Sequence, residues 1–305
     1  MATASPPYLG PALLSKHNMS SGSRHGRIVA VVNQKGGVGK TTSAVNLGAC
    51  LAAIGLRVLL VDIDPQGNAT SSLGIDKETR DLAIYDVLSG DAPLADAVAP
   101  TRQDSLWLVP STSVLLGSET EAALHALPGR ERRLADALAA LPADRFDLIV
   151  VDCPPSLGPL TLNALVAADG VLIPIQCEFL ALEGLMQLAN SIYLVKRSSN
   201  PRLEILGVLM TMYDARTRLA AQVVEEVRRF FPNRTFQTVI PRGVHLAEAP
   251  SYGQSVLVYD PTSRGALAYR AVAYELLARL GLQAPRRDAD GARPASELLE
   301  AEAGK

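Results

Sequence analysis

The stretch VAVVNQKGGVGKTTSAVNLG, Val29 to Gly48, decides how the rest of the chain is read. Its first four residues are an apolar run suited to a buried strand, and its last nine place apolar side chains at helical spacing. Between them Gly36, Gly37 and Gly39 leave backbone N–H groups free to wrap an anion, with the positive end of the following helix pointing at it. Strand, glycine-rich turn and helix in that order are the context of a phosphate-binding loop. The strict pattern G-x-x-x-x-G-K-S/T fails, because Gln34 occupies the position of its first glycine; the string present is K-G-G-x-G-K-T. Such a loop needs one lysine, and this one has two, Lys35 and Lys40.

Working outward, short Val, Ile and Leu runs alternate with helical patterns along the chain. Strands are expected at Ile28 to Asn33, Val58 to Asp62, Leu106 to Pro110, Leu148 to Asp152, Val171 to Gln176, Leu203 to Met210 and Phe236 to Ile240. The segment TTSAVNLGACLAAIG, closed by Gly55, links the first two as a βαβ unit. The expected fold class is therefore α/β: a single-domain P-loop NTPase fold with a mainly parallel, twisted sheet and helices on both faces. Residues 27–283 are expected to form that domain. Residues 1–26 and 284–305, poor in large apolar side chains, read as flexible tails.

Composition narrows the function classes. At 305 residues, with 48% hydrophobic residues and a mean hydropathy of +0.15, the chain can bury a sizeable core. Its longest apolar runs fall short of the roughly 18 residues a membrane helix needs. Cys50, Cys153 and Cys177 lack the paired spacing of a zinc or iron–sulfur site and read as buried hydrophobes of a reducing compartment. A net charge of −2 excludes a protein that coats nucleic acid with its whole surface. The charge is uneven, however: Lys196 to Arg270 holds 11 Lys/Arg and 6 Asp/Glu, a balance of +5, which leaves −7 for the remainder.

Three motifs carry chemistry. In the loop, Lys40 is placed to reach the β- and γ-phosphates of a nucleotide and the Thr41 hydroxyl to ligate Mg²⁺. Next, VLLVDIDPQGNAT, Val58 to Thr70, ends a strand in two carboxylates, Asp62 and Asp64. Then FDLIVVDCPPSLG, Phe146 to Gly158, is a hydrophobic strand ending in Asp152, the arrangement in which a carboxylate holds Mg²⁺ through water. The consecutive Pro154 and Pro155 fix a rigid turn beside it, suited to sensing the γ-phosphate.

On these motifs the chain resembles the ParA/Soj and MinD group of deviant Walker A ATPases. The resemblance extends through PIQCEFLALEGL, VLMTMYDARTRLA and VIPRGVHLAEAPSYGQSV, and covers residues 27 to 280. It implies that Lys35 crosses a homodimer interface to the partner's ATP, which accounts for the second lysine. Lys35, Lys40 and Asp64 are then the catalytic candidates, with Asp64 orienting the attacking water. The nucleotide-binding set is Lys35, Gly36, Gly37, Val38, Gly39, Lys40, Thr41, Thr42, Glu178, Met212 and Pro241. Thr41, Asp62 and Asp152 serve Mg²⁺. By the same resemblance Arg216, Arg218 and Arg242 contact DNA without sequence preference, with His245 standing where many relatives carry an arginine.

The resemblance further implies ATP and Mg²⁺ as cofactors and a slow ATPase stimulated by a ParB-type centromere-binding partner. It implies a cytoplasmic, nucleoid-associated DNA-partitioning switch, for a chromosome or a plasmid, with no stable membrane association. Two alternatives share the loop. A MinD-like membrane-associated cell-division regulator needs a C-terminal amphipathic helix with a basic face. GALAYRAVAYELLARLG reads instead as a packed helix, and ELLEAEAG is acidic. An amide-forming ligase or reductase component needs a second substrate pocket or a cluster held by cysteines, and the sequence offers no candidate for either.

Overall fold

The computed structural model describes residues 26–77, 82–112, 124, 126–178 and 181–285. The expected tails, apart from Gly26, Ala284 and Pro285, lie outside the described residues. A seven-stranded sheet runs in the order β3-β4-β2-β5-β1-β6-β7. Its strands are β1 (Arg27–Val31), β2 (Val58–Asp62), β3 (Ala99–Pro100), β4 (Leu106–Val109), β5 (Leu148–Asp152), β6 (Gly170–Gln176) and β7 (Glu204–Thr211). All neighbours pair in parallel except β3, a two-residue antiparallel edge on β4.

The strand sequences are near-continuously apolar because both faces of the sheet are covered. VLLVD of β2, LIVVD of β5 and EILGVLMT of β7 are buried at every position. Alternate residues serve different cores. Val29, Val31, Val58 and Leu60 pack with Leu47 and Leu51 of helix α1 (Lys40–Ala53) and with Tyr269 and Leu276 of the long Arg264–Leu280 helix. Ala30, Leu59 and Val61 pack on the opposite face with Leu165, Leu188, Ile192 and Val227 from the helices Pro159–Ala167, Ala181–Ser198 and Arg218–Phe230.

One expected strand is absent. Phe236 to Ile240 follows β7 and exchanges Phe236 N–H to Val208 O (3.0 Å) and Ile240 N–H to Met210 O (2.8 Å). Between those contacts the backbone leaves the ladder: the Gln237 and Thr238 N–H groups donate to the two oxygens of Glu275, at 2.8 and 2.9 Å. A carboxylate on the packed helix has taken the donors a strand would have used, leaving isolated bridges at Thr235 and Pro241.

Candidate functional site

The C-terminal ends of β1, β2 and β5 lie side by side, because the ladder pairs Val31 with Asp152 and Asp152 with Asp62. In open α/β sheets this edge is where ligands bind. The loop from β1 to α1 arches over it. Gly37 (φ 73°) and Gly39 (φ 85°) adopt left-handed backbone that costs a β-carbon-bearing residue energy, and Gly39 is the residue that caps α1. Thr211, the last residue of β7, anchors the arch: its hydroxyl lies 2.8 Å from Val38 O and 3.0 Å from Ile175 O and donates to one at a time. Asn33 adds a second tie, its Oδ1 accepting the Lys35 N–H at 3.0 Å and its Nδ2 donating to Pro174 O at 2.7 Å.

The two lysines occupy different environments. Lys40 is 6% exposed, and its Nζ donates to Lys35 O at 3.2 Å, turning back along the loop. Desolvation lowers its pKa, while the charges of Asp152, Asp64 and Cys153 oppose that. Lys35 stands at the rim with 58% of its side chain exposed, and its Nζ contacts Glu178 Oε2 at 2.5 Å.

Three carboxylates gather beneath the loop and differ in how they are satisfied. Asp62 Oδ2 accepts the Thr70 N–H (2.8 Å) and the Thr70 hydroxyl (2.7 Å), and Oδ1 accepts the Asp64 N–H (3.2 Å). Burial raises its pKa to about 6 against the pull of those hydrogen bonds. Asp64 is 4% exposed, lines the cavity and accepts the Gln66 N–H on Oδ1 at 3.0 Å. Asp152 is fully buried, and among the described residues neither of its oxygens has a hydrogen-bond partner. Burial pushes its carboxyl well above the ordinary range, and the charge of Asp62 adds to that. The nearby Thr41 side chain favours the ionised form without meeting hydrogen-bond geometry.

A cavity of about 610 Å³ opens above these groups, within the range of small-molecule sites. Gly36, Gly37, Gly39, Lys40, Thr41 and Thr42 form one wall. Asn68, Ser71 and Ser72 also line the cavity; Asn68 belongs to the Val58–Thr70 motif, whereas Ser71 and Ser72 lie just past its end and no motif marks them. An adjoining cavity of about 240 Å³ is apolar, lined by Met212, Ile240, Pro241, Leu246 and Tyr269, with Arg242 at its edge. A polar chamber beside an apolar one suits a phosphate chain joined to a planar base.

The expected residues thus fall into groups. Gly36, Gly37, Gly39 and Lys40 to Thr42 of the loop, with Asp64, Met212 and Pro155, line the larger cavity, and Pro241 the smaller; Lys35 lines neither. Val38 faces the protein, 2% exposed, so it offers backbone only. Asp62 is held by Thr70 and Asp64, and the orphaned carboxylate is that of Asp152. Glu178 lines neither cavity and meets Lys35 instead. Arg216, Arg218 and Arg242 are exposed; the first two lie on the loop and helix that follow β7, and Arg242 lines the smaller cavity. His245 Nδ1 lies 2.6 Å from Asp260 Oδ2.

The orphaned buried carboxylate beneath Thr41 is a fit for a hydrated divalent cation, an oxygen-seeking ion that keeps several waters and takes one or two protein ligands. Among the described residues no group of three or more His, Cys, Asp and Glu is placed to hold a metal alone.

Sheet order, phosphate loop and carboxylate edge define a P-loop nucleotide-binding protein. A family model described as AAA domain matches residues 26–205. The sporulation initiation inhibitor protein Soj of Bacillus subtilis is 54% identical over 83% of this chain and 99% of its own length. The chromosome partitioning protein ParA of Myxococcus xanthus is 51% identical over 86% and 92%. The crystal structure of a protein named cobyrinic acid a,c-diamide synthase, from Mycobacterium smegmatis with bound ATP analogue and magnesium, superposes with a TM-score of 0.73. It is 41% identical over 84% of this chain and 96% of that one. The chain belongs to the ParA/Soj family of chromosome-partitioning ATPases.

Proposed function

We propose that the protein is an ATP-driven DNA-partitioning switch in which two copies close face to face over two ATP molecules. The observation that carries this reading is the division of labour between the loop lysines. Lys40 is buried within the arch, where its ammonium faces its own nucleotide. Lys35 stands exposed at the rim, where a facing copy presents the second triphosphate. An ammonium beside a triphosphate gains strongly where water is excluded, so closing the two copies stabilises both sites.

Backbone N–H groups of Gly36 to Thr41 hold the phosphates, the Met212–Pro241 chamber takes the base, and Asp64 orients the water that attacks the γ-phosphate. Thr41 and Asp152 hold Mg²⁺, with Asp62 positioned by Thr70 behind them; the ion neutralises charge on the β- and γ-phosphates. Among the described residues no arginine lines the larger cavity, which supports slow turnover stimulated by a ParB-type partner. Closing the dimer doubles the set Arg216, Arg218 and Arg242, and two linked weak patches retain DNA where one does not. A cytoplasmic, nucleoid-associated location follows from that cycle.

The deciding experiment is DNA retention with ATP, ADP and no nucleotide across a salt series. Retention with ATP alone, falling as salt rises, is the expected result; retention independent of nucleotide contradicts it.

The name carried by the Mycobacterium smegmatis neighbour favours a second reading, an amide-forming ligase. That reading requires ATP turnover coupled to amidation of a carboxylic acid and indifferent to DNA. The MinD-like alternative is disfavoured by the Arg264–Leu280 helix, which buries Tyr269, Val272, Leu276 and Leu280 against α1 and the sheet. Among the described residues no helix is long and apolar enough to cross a membrane.

A further inference from the structure

The segment YDARTR, Tyr213 to Arg218, runs from the loop after β7 into the next helix and places an acid two residues before Arg216. Asp214 engages Arg216 three times: Oδ1 accepts the Arg216 backbone N–H at 3.0 Å and Nε at 2.9 Å, and Oδ2 accepts Nη2 at 2.7 Å. Two parallel hydrogen bonds of this kind use the edge of a guanidinium that also matches a phosphate. The turn is well fixed. Asp214 O accepts the Thr217 N–H (3.1 Å) and hydroxyl (3.0 Å), and Thr217 Oγ1 in turn caps the Arg218–Phe230 helix through the Ala220 N–H. Arg242 is tied alongside, its N–H donating to Tyr213 O at 3.0 Å. The hydrogen bonds from Arg216, with the charges of Arg216 and Arg242 behind them, hold the Asp214 carboxyl below the usual carboxylate range, so the acid is ionised wherever the protein works.

We infer that Asp214 is a positioning residue that masks the Nε–Nη2 edge of Arg216, so that a DNA phosphate seeking that edge competes with a carboxylate already seated there. Arg216 is 88% exposed, which leaves a phosphate free to approach from solvent. The exchange of one anion for another at an exposed site is nearly balanced, and it lowers the affinity of one subunit without abolishing that of two. The same loop begins at Met212, which lines the nucleotide cavity with its backbone in left-handed geometry at φ 52°. Mask and nucleotide chamber are therefore two residues apart. This inference rests on the DNA-binding reading above.

The test is Asp214→Asn, which keeps an oxygen for the turn and removes the charge. Its affinity for duplex DNA is read by fluorescence anisotropy with ATP, ADP and no nucleotide, beside the wild type, Arg216→Ala and the double variant. The expected result is DNA binding about two- to fivefold tighter per subunit than wild type, the scale of one exposed ion pair, with the gain lost in the Arg216→Ala background. If Asp214→Asn binds no tighter, or gains equally without Arg216, the masking role is overturned while the DNA-binding reading stands. Failure of the wild type with ATP to bind DNA at low salt would sink both, and thermal melts of all four proteins identify any variant that has lost its fold.

Discussion

Lys35 Nζ and Glu178 Oε2 are 2.5 Å apart, although 143 residues separate them in sequence. The contact parks a mobile cation at the rim of the nucleotide site, between the loop after β1 and the end of β6. Both partners are about half exposed, so the pair is weak and a phosphate can replace it. Lys35→Ala is therefore expected to bind ATP with little change but to remain a monomer by light scattering. Lys40→Ala should lose nucleotide binding itself, because its ammonium lies inside the arch. ATP-bound dimers of Lys35→Ala would contradict the role given to that residue.

Asp152 supplies a second test, because its buried, unpartnered carboxyl is costly without a cation. Asp152→Asn removes the repulsion from Asp62 and the desolvation of a charge, so the nucleotide-free protein should melt at the same temperature or higher. The same variant should lose magnesium-dependent nucleotide binding, roughly 10- to 100-fold or more by analogy with disturbed metal shells. Calorimetric titration with and without magnesium reads both. Destabilisation of the nucleotide-free variant with unchanged magnesium dependence would assign Asp152 a purely structural role.

The phosphate loop, the strand-end aspartates and six of the seven expected strands were legible because each is local: a run of β-branched residues, a glycine turn and a terminal acid stand together in sequence. What escaped was set by distant partners. Phe236 to Ile240 has strand composition, yet Glu275, from a helix nearly forty residues later, captures its Gln237 and Thr238 N–H groups. The antiparallel edge Ala99–Pro100 is too short, and too marked by proline, to show a period. Thr211 and Thr70 look like ordinary strand and turn residues, and only the fold brings their hydroxyls to Val38 O and Asp62. The pairing of Lys35 with Glu178 is likewise invisible until β1 and β6 lie side by side.

Arg57 and Asp147 clamp the starts of β2 and β5. Asp147 Oδ2 accepts the Arg57 N–H at 2.8 Å and Nε at 3.2 Å, and Oδ1 accepts Nη2 at 2.7 Å. Burial alone would raise the Asp147 pKa, but the hydrogen bonds and charge of Arg57 outweigh it and hold the carboxyl below its ordinary value. A carboxyl lowered in the folded state adds stability above its unfolded pKa of about 4, and that stability is lost as pH falls through the lowered value. The pair is more than one-third exposed, so the discounted contribution is about 1 kcal/mol or less. Asp147→Asn should lower neutral-pH stability by that amount in urea titrations. Its deficit should shrink below about pH 4; a deficit that grows on acidification would refute the assignment.

Thr211 joins three elements at one hydroxyl, for it sits at the end of β7, reaches Ile175 of β6 and touches Val38 inside the phosphate loop. Thr211→Val preserves shape and β-branching, so packing and strand propensity are nearly unchanged. It removes the donor that the two buried carbonyls share, at a cost of about 1–3 kcal/mol for the group left unsatisfied. A second effect concerns the nucleotide. A β-carbon added at Gly39 would lie 3.7 Å from Thr211 Cγ2, so the Thr211 side chain stands beside the left-handed turn into α1. Loosening it should spread the orientations of the loop N–H groups and weaken ATP binding by more than the loss of stability alone explains. The expected signature is faster amide exchange at Val38 to Thr41 with normal protection in β1 and β2, together with a higher Kd for ATP. Unchanged loop exchange, with affinity falling only as the folded fraction falls, would reduce Thr211 to a structural residue.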